Sequence, residues 1–269
     1  MQVSHTAYCD WLKRPAQIIT EDELHLYRRM KQLFSASRES LGSREMVKKL
    51  RKEGFKIGRY RVSSLMKRLK LKVIQRQAYK VTTQRKHSHQ VADNLINQDF
   101  NPENPNQVWA GDVTYLRTHE GWMYLAIVMD LYSRKMIGWA MSKRMTVDLV
   151  ERAMQMAITL RAPDEGLIFH SDRGSQYTSK RFRRLLKKHR IQASMSGVGA
   201  CWDNAVVERF FGSLKNEWLL KVYHLTRQTM KQDVEQYIRY YNHERLHSAN
   251  EDLSPVEFEM SQMKVSGFT

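Results

Sequence analysis

Three acidic residues in separate stretches of this 269-residue chain have the types and spacing to bind divalent metal ions. Asp112 falls in a predicted strand, Asp172 follows another, and Glu208 falls in a predicted helix, with 35 residues between the last two. Mg²⁺ prefers oxygen ligands and is commonly held by a few carboxylates together with a substrate phosphate. Two such ions about 4 Å apart can hold the attacking and leaving oxygens of an in-line displacement at phosphorus. The three acids predict metal-dependent DNA strand transfer if the fold brings them together.

Each acid taken alone also has an ordinary structural explanation. Asp112 could face solvent or pair with an arginine, Asp172 could be a turn residue before Gly174, and Glu208 could lie on a charged helix surface. Lys215 follows Glu208 by seven residues, which places both at nearly the same azimuth of a helix. A carboxylate and an ammonium facing one groove would suit a metal ion and a DNA phosphate, respectively.

The charge of the chain favours a polyanionic partner. The formal net charge is +17 with a pI near 9.9, and the first 100 residues hold 22 Lys and Arg against 9 Asp and Glu. Such a footprint is typical of nucleic-acid binding, although a ribosomal or a membrane-surface protein would also show it. A hydrophobic content of 42% excludes a disordered polyelectrolyte.

The cysteines and the apolar segments predict a soluble cytoplasmic protein. Cys9 and Cys201 are too few for a disulfide framework or a cysteine-rich zinc site. The N-terminal residues lack an apolar signal core, and the apolar run at 123–128 is too short to span a bilayer.

The first third of the chain predicts a small all-α DNA-binding domain. Thr20 and Glu23 form a capping-box pattern for a helix to about residue 34, and two further helices are predicted at 44–53 and from about 59 to 69. The second and third helices, joined by a turn containing Gly54, predict a helix-turn-helix. A solvated basic hairpin is the alternative. The candidate DNA contacts are Arg59, Arg61, Ser64, Lys67 and Arg68.

The rest of the chain predicts a ribonuclease-H-like α/β fold, a mixed sheet flanked by helices. Strands are predicted at 108–117, 122–130, 135–142, 167–170 and 191–195, and helices at 147–160, 179–189 and 205–220, the last capped by Asp203. The predicted division is an N-terminal helical segment (1–35), the helix-turn-helix (36–75), a linker (76–105), the core (106–225) and a C-terminal helical extension (226–269).

Several ordered motifs resemble one family. They are Gln-Val-Trp-Ala-Gly-Asp-Val-Thr-Tyr at 107–115, His-Ser-Asp-Arg-Gly-Ser-Gln-Tyr at 170–177, and Asp-Asn-Ala-x-x-Glu-x-Phe-Phe-x-x-Leu-Lys at 203–215. Together with Tyr-Asn-His-Glu-Arg-Leu-His at 241–247 and Pro255, they resemble the second-frame (OrfB) transposases of the IS3 insertion-sequence family. These enzymes have a D,D(35)E catalytic core related to retroviral integrases, and the resemblance covers about residues 36–260.

The resemblance implies a specific activity. Asp112, Asp172 and Glu208 are expected to hold two Mg²⁺ or Mn²⁺ ions, and Lys215 matches a basic residue near the DNA. The expected reaction frees a 3′-OH at an insertion-sequence end and then transfers that strand to another phosphodiester. Double-stranded DNA is the expected partner, with a homo-oligomer on DNA. A first-frame (OrfA) product is a possible second partner, because this chain shows no sustained heptads of its own.

Two alternatives remain open from the sequence. His243 and His247 fit the pattern His-Glu-x-x-His, which on a helix binds zinc in metalloproteases. No third ligand at a recognised spacing follows, so a helix end that packs on the core or contacts DNA is the preferred interpretation. The other alternative is a non-catalytic DNA-binding regulator or an inactive transposase remnant.

Overall fold

The protein divides into two compact units, Met1–Ile74 and Gln75–Thr269. The computed structural model describes residues 4–13, 19–73, 92–97, 99–197 and 204–266. The predicted five-part division is finer than these two units and stays a prediction; residues 76–91 and 98 of its linker lie outside the described residues.

The N-terminal unit is all-helical, as the sequence predicts. Its helices are α1 (His5–Lys13), α2 (Glu21–Ala36), α3 (Ser43–Lys52) and α4 (Arg59–Arg68). The side chain of Thr20 caps α2 by accepting a hydrogen bond from the Glu23 N–H at 3.3 Å, as the capping pattern predicts. Gly54 follows α3 with a φ of 91°, a conformation that glycine adopts without strain.

Helices α3 and α4 form the helix-turn-helix around one hydrophobic core. Each helix buries one apolar stripe, and α2 contributes to the same core. The exposed faces of α3 and α4 therefore carry the basic residues. The buried stripes comprise Met46, Val47 and Leu50 in α3 and Val62, Leu65 and Met66 in α4.

The C-terminal unit contains a five-stranded mixed sheet. The strands are β1 (Val108–Thr118), β2 (Gly121–Asp130), β3 (Lys135–Ser142), β4 (Ile168–Ser171) and β5 (Gln192–Met195). They lie in the order β3-β2-β1-β4-β5, with β1, β2 and β3 antiparallel and with β4 parallel to both β1 and β5. The three antiparallel strands and the mixed character confirm the predicted fold class.

Helices cover both faces of this sheet. On one face lie α5 (Val147–Arg161) and α6 (Lys180–Lys188), and on the other lie α7 (Ala205–Glu217) and α8 (Arg227–His243). The alternation of β1 directs Trp109 to the first core and Ala110 to the second. The central part of each sheet face is therefore buried, whereas Tyr115 and Arg117 toward the end of β1 stay exposed.

The C-terminal region packs on the core, which resolves the choice left open for the 241–247 motif. The side-chain amide of Asn242 donates to the Met136 carbonyl and accepts from the Met136 N–H, both at 2.9 Å, and so covers the backbone of edge strand β3. The final helix α9 (Pro255–Ser266) is fixed by Glu259, which binds Lys135 at 2.7 Å and also binds Arg161.

The structure changes the cap and the end of the predicted helix 205–220, while its first residue is as predicted. The N-cap of α7 is Asn204, which makes no capping hydrogen bond through its side chain, while the predicted cap Asp203 lies outside the described residues. Helix α7 ends at Glu217 rather than near residue 220, and a 3₁₀ turn, Leu219–Lys221, follows it. Among the described helices, none combines the length and the apolar character that crossing a membrane requires.

Candidate active site

Asp112 and Asp172 occupy neighbouring positions at one end of the sheet. Gly111 of β1 is in register with Ser171 of β4, and the two aspartates are the next residue of each strand. Parallel strands lie about 4.8 Å apart, so these carboxylates start from adjacent backbone positions. The carboxyl ends of strands are where ligands bind in α/β sheets. The sequence prediction that these two acids meet is therefore supported by the register.

Backbone N–H groups orient both carboxylates. Oδ1 of Asp112 accepts from the Val113 N–H at 2.7 Å, and Oδ1 of Asp172 accepts from the Gly174 N–H at 2.9 Å. Both side chains are half-buried. A carboxylate held in this way presents a fixed arrangement of hard oxygen donors, which is the donor chemistry that Mg²⁺ and Mn²⁺ prefer.

Glu208 lies on α7 between two residues of that helix that contact β1. Asn204, one turn before Glu208, donates from Nδ2 to the Gly111 carbonyl at 3.4 Å. Lys215, two turns after Glu208, has its ammonium 5.0 Å from the ring centroid of Tyr115 on β1. Residues spaced in this way share one helix face, so Glu208 lies between two contacts to β1.

The three acids do not form a closed ligand group in this conformation. Within the described ranges, no three His, Cys, Asp or Glu side chains lie together as a metal-binding cluster. The side chain of Glu208 is exposed, although partial desolvation raises its pKa above the ordinary value for a glutamate. The structure thus brings Asp112 and Asp172 together and places Glu208 on the facing helix.

Lys215 is half-buried beside Tyr115 and Asp112. Burial lowers the pKa of its ammonium, while the Tyr115 and Asp112 side chains oppose that change. The sequence predicts that Glu208 and Lys215 share one face of α7, and Lys215 of that face contacts β1 through Tyr115. Lys215 is therefore positioned to meet an anionic group that approaches Asp112.

Sequence reasoning missed Tyr177 and His170. Tyr177 is buried against the rings of Phe169 and Phe182, and burial together with the charges of Asp112 and Asp172 raises the pKa of its phenol well above the ordinary value. His170 is buried beside β5, with Nδ1 2.9 Å from the Ser194 hydroxyl. No spacing rule pointed to either residue, because the surroundings of both side chains are formed by contacts between distant segments.

A buried polar and aromatic cluster fixes the C-terminal end of α7. Arg245 pairs with Glu217 at 2.8 Å, and the Tyr237 hydroxyl donates to the same carboxylate at 2.9 Å. The rings of Phe210 and Trp218 pack against α8. Helix α7 therefore presents Glu208 and Lys215 from a rigidly supported element.

The zinc-protease geometry is absent. Helix α8 ends at His243, so His247 falls beyond it and cannot share a helix face with His243 as a zincin requires. The ring of His247 instead packs on Tyr241 at 4.6 Å, and burial lowers its pKa to about 3. These observations assign the motif to packing.

In the N-terminal unit, all five predicted DNA contacts lie on exposed positions of α4. Four of them, Arg59, Arg61, Ser64 and Lys67, point away from the hydrophobic core. Arg68 is held within the unit, since its guanidinium donates to the Tyr27 hydroxyl at 3.0 Å and lies 3.8 Å from Glu23. Tyr60, which the prediction omitted, is 90% exposed on the same helix.

Comparisons with known proteins agree with this architecture. Models of the integrase core domain match residues 102–201 and 189–255, and a model of an HTH-like domain matches residues 21–79. Transposase InsF for insertion sequence IS3A of Escherichia coli K12 is 39% identical over 96% of this chain and 91% of its own length. The chain belongs to the IS3 family of insertion-sequence transposases.

Another insertion-sequence protein and two solved structures are also similar to this chain. A 31 kDa protein of insertion element IS600 from Shigella sonnei is 38% identical over 95% of the transposase and 94% of its own length. The integrase catalytic core of HTLV-2, solved with magnesium, covers 57% of the transposase and 96% of the viral chain at 21% identity and a TM-score of 0.47. An integrase chain of the simian T-cell lymphotropic virus intasome covers 81% of the transposase and 70% of its own length at 16% identity and a TM-score of 0.49.

Replacing Gly174 by alanine is expected to impair the transposase without unfolding it. A Cβ at this position would lie 2.9 Å from Oδ1 of Asp172 and 3.2 Å from the Gln176 side chain, so the carboxylate must shift. Displacement of a catalytic group by about 1 Å can cost roughly 100-fold in rate. We expect a decrease of about that size in strand cleavage, measured on labelled insertion-sequence ends, with a nearly unchanged melting temperature.

A matched control for this substitution is Gly42→Ala, because nothing lies within 4 Å of its added Cβ. Wild-type cleavage by Gly174→Ala would show that the position of the Asp172 carboxylate does not limit the reaction.

Proposed function

We propose that this transposase nicks the ends of its insertion sequence and transfers the freed 3′ strand to a second phosphodiester. The observation that supports the proposal is the adjacent register of Asp112 and Asp172, together with the contact of α7, the helix of Glu208, with β1 through Asn204. Those three side chains would hold two Mg²⁺ or Mn²⁺ ions. Bound there, the ions would activate the attacking oxygen and stabilise the leaving one at phosphorus.

The chain's own residues would position the DNA and the ligands. The backbone N–H groups of Val113 and Gly174 orient the aspartates, and Asn204 ties the start of α7 to β1. Lys215 would hold a DNA phosphate beside the reacting group, at the groove between α7 and β1. Because the aspartates repel each other, they favour binding of a divalent cation between them.

The experiment that tests this function is direct. The protein is incubated with Mg²⁺ and a linear fragment carrying the terminal repeats of its own element, and the new 3′ ends are mapped by sequencing. We expect nicks at the element ends that vanish with EDTA, followed by joined products. Binding to the ends without any nick in Mg²⁺ or Mn²⁺ would instead favour the regulator or remnant alternative.

DNA contact by α4 is the second part of the proposal. The exposed basic residues of α4 form a single-sign patch that phosphates would neutralise. We further propose, on the family resemblance, that the protein acts as a homo-oligomer on DNA in the bacterial cytoplasm, together with a first-frame (OrfA) partner.

The double substitution Arg59→Ala and Lys67→Ala is expected to weaken DNA binding and flatten its salt dependence. Each lost phosphate contact lowers the slope of log affinity against log salt by about 0.9, so the pair should lower it by about 1.8. Binding isotherms across a salt series measure this slope. Lys31→Ala, at an exposed position of α2, is the control, and an unaltered slope in the double variant would remove α4 from the interface.

A further inference from the structure

Four side chains on β1, β2 and α7 form a continuous surface, here called the cationic-aromatic strip: Lys215, Tyr115, Trp122 and Arg117. The Lys215 ammonium lies 5.0 Å from the Tyr115 ring centroid. The Tyr115 and Trp122 rings meet edge to face with centroids 5.3 Å apart. The Arg117 guanidinium then lies 5.1 Å from the Trp122 ring centroid.

Both aromatic rings of the strip are accessible to a ligand. Tyr115 and Trp122 are each 43% exposed, and neither belongs to the two hydrophobic cores. Single exposed aromatics are common, but two rings in contact and bounded by cations form an amphipathic surface. The nearby carboxylate of Glu120 is already bound by the N–H of Arg227 at 2.8 Å.

The strip begins at the candidate active site. Strand β4 pairs with β1 only as far as Gly111, so the following part of β1 pairs with β2 on one side alone. From Asp112 to Arg117 a strand rises about 17 Å. A stacked nucleic-acid strand rises about 3.4 Å per nucleotide, so roughly five nucleotides would span the same distance.

A cavity of about 540 Å³ continues the strip beyond Arg117. Arg117 lines it together with His119 and Tyr223, whose ring centroids lie 6.4 Å apart. Arg117 therefore lies between the rings of the strip on one side and those of His119 and Tyr223 on the other.

We propose that the cationic-aromatic strip binds unpaired nucleotides of the DNA strand next to the scissile phosphate. Aromatic rings stack on any base, and cations follow the backbone, which is how single strands are bound without sequence preference. Paired bases are stacked in the duplex and cannot offer their faces to Tyr115 and Trp122. The cations alone would bind paired and unpaired DNA alike. The inference rests on the proposed function, since it takes Asp112 as the site of strand cleavage.

The test compares two versions of one DNA end in binding assays with EDTA present, so that no cleavage occurs. One version is fully paired, and the other has about five unpaired nucleotides at the cleavage position. Trp122→Ala should weaken binding of the unpaired version about tenfold, and that of the paired version by less than about twofold. Trp122→Phe should retain most of the preference, because it keeps a stacking face.

Arg117→Ala and one control complete the test. Removal of Arg117 should weaken binding of the unpaired end and lower its salt slope by about 0.7. Leu160→Ala changes another exposed apolar side chain, on α5, and should leave both affinities as they are. If Trp122→Ala fails to fold, Tyr115→Ala takes its place, because it removes the other exposed ring of the strip and should show the same selective loss on the unpaired end.

A Trp122→Ala protein that binds the unpaired end as tightly as the wild type would overturn the proposal, as would an equal loss of affinity of Trp122→Ala for both DNA versions. Failure of the proposed function gives a different result, namely a wild-type protein that does not nick its ends in Mg²⁺ or Mn²⁺.

Discussion

Replacing Asp112 by asparagine is expected to abolish strand cleavage while leaving DNA binding intact. Asparagine keeps the size of the side chain but removes a negative charge that a divalent ion needs. The loss of this electrostatic stabilisation should lower the cleavage rate by at least about 10³-fold. Asp172→Asn should give a comparable loss, because Asp172 lies at the neighbouring strand position. The measurement is single-turnover nicking of labelled element ends, with binding measured in parallel.

The control for both substitutions is Asp164→Asn, which makes the same chemical change at an exposed position. It should cleave at the wild-type rate. An Asp112→Asn protein that still nicks DNA at a tenth or more of the wild-type rate, as a rough limit, would remove Asp112 from the chemistry. Loss of DNA binding along with cleavage would instead indicate that the substitution damages the fold.

Replacing Gly138 by alanine is expected to have the largest effect on stability. A Cβ on this residue of β3 would lie 2.2 Å from the backbone carbonyl oxygen of Ala153 and 2.9 Å from Cβ of Ala157. Backbone atoms cannot rotate away, so α5 would have to move off the sheet. Overpacking of this kind costs about 3 kcal/mol or more. Chemical denaturation of the full chain, followed by a signal from its C-terminal unit, measures the loss of unfolding free energy.

Gly212→Ala is the matched control, since nothing lies within 4 Å of the added Cβ in the middle of α7. Alanine in an open helix interior should raise the free energy of unfolding by about 0.5–1 kcal/mol. If Gly138→Ala lowers the free energy of unfolding and Gly212→Ala raises it, close packing of α5 on β3 is what excludes a side chain at residue 138. A Gly138→Ala protein as stable as the wild type would contradict it.

Hydrophobic patterning was sufficient to predict most of the elements. The first three strands are largely apolar runs separated by short breaks, and the apolar stripes of α3 and α4 have the helical period, so each segment is long enough to be recognised. Val207, Phe211 and Leu214 of α7, with Trp218 directly after it, are spaced as one apolar helix stripe in the sequence and are all buried. Local sequence determines these features.

Contacts between distant residues were beyond sequence reasoning. Burial and the charges of Asp112 and Asp172 raise the pKa of Tyr177, and Asp112 lies on a distant strand. Arg68 of α4 donates a hydrogen bond to Tyr27 of α2. The contact of Tyr115 on β1 with Lys215 on α7 joins residues 100 positions apart. The later part of the predicted linker also makes a long-range contact, because the Leu95 N–H donates to the hydroxyl of Ser194 on β5 at 2.9 Å. Polar and aromatic pairs of this kind have no period in the sequence.

The most direct test of the shared metal site is a crystal structure of the protein with Mn²⁺ and an element end, with the ions located by anomalous scattering. We expect two peaks about 4 Å apart, with Asp112 and Asp172 sharing one ion and the Glu208 carboxylate binding at about 2.2 Å. A DNA-bound complex in which Glu208 remains outside the coordination shell of either ion would contradict it.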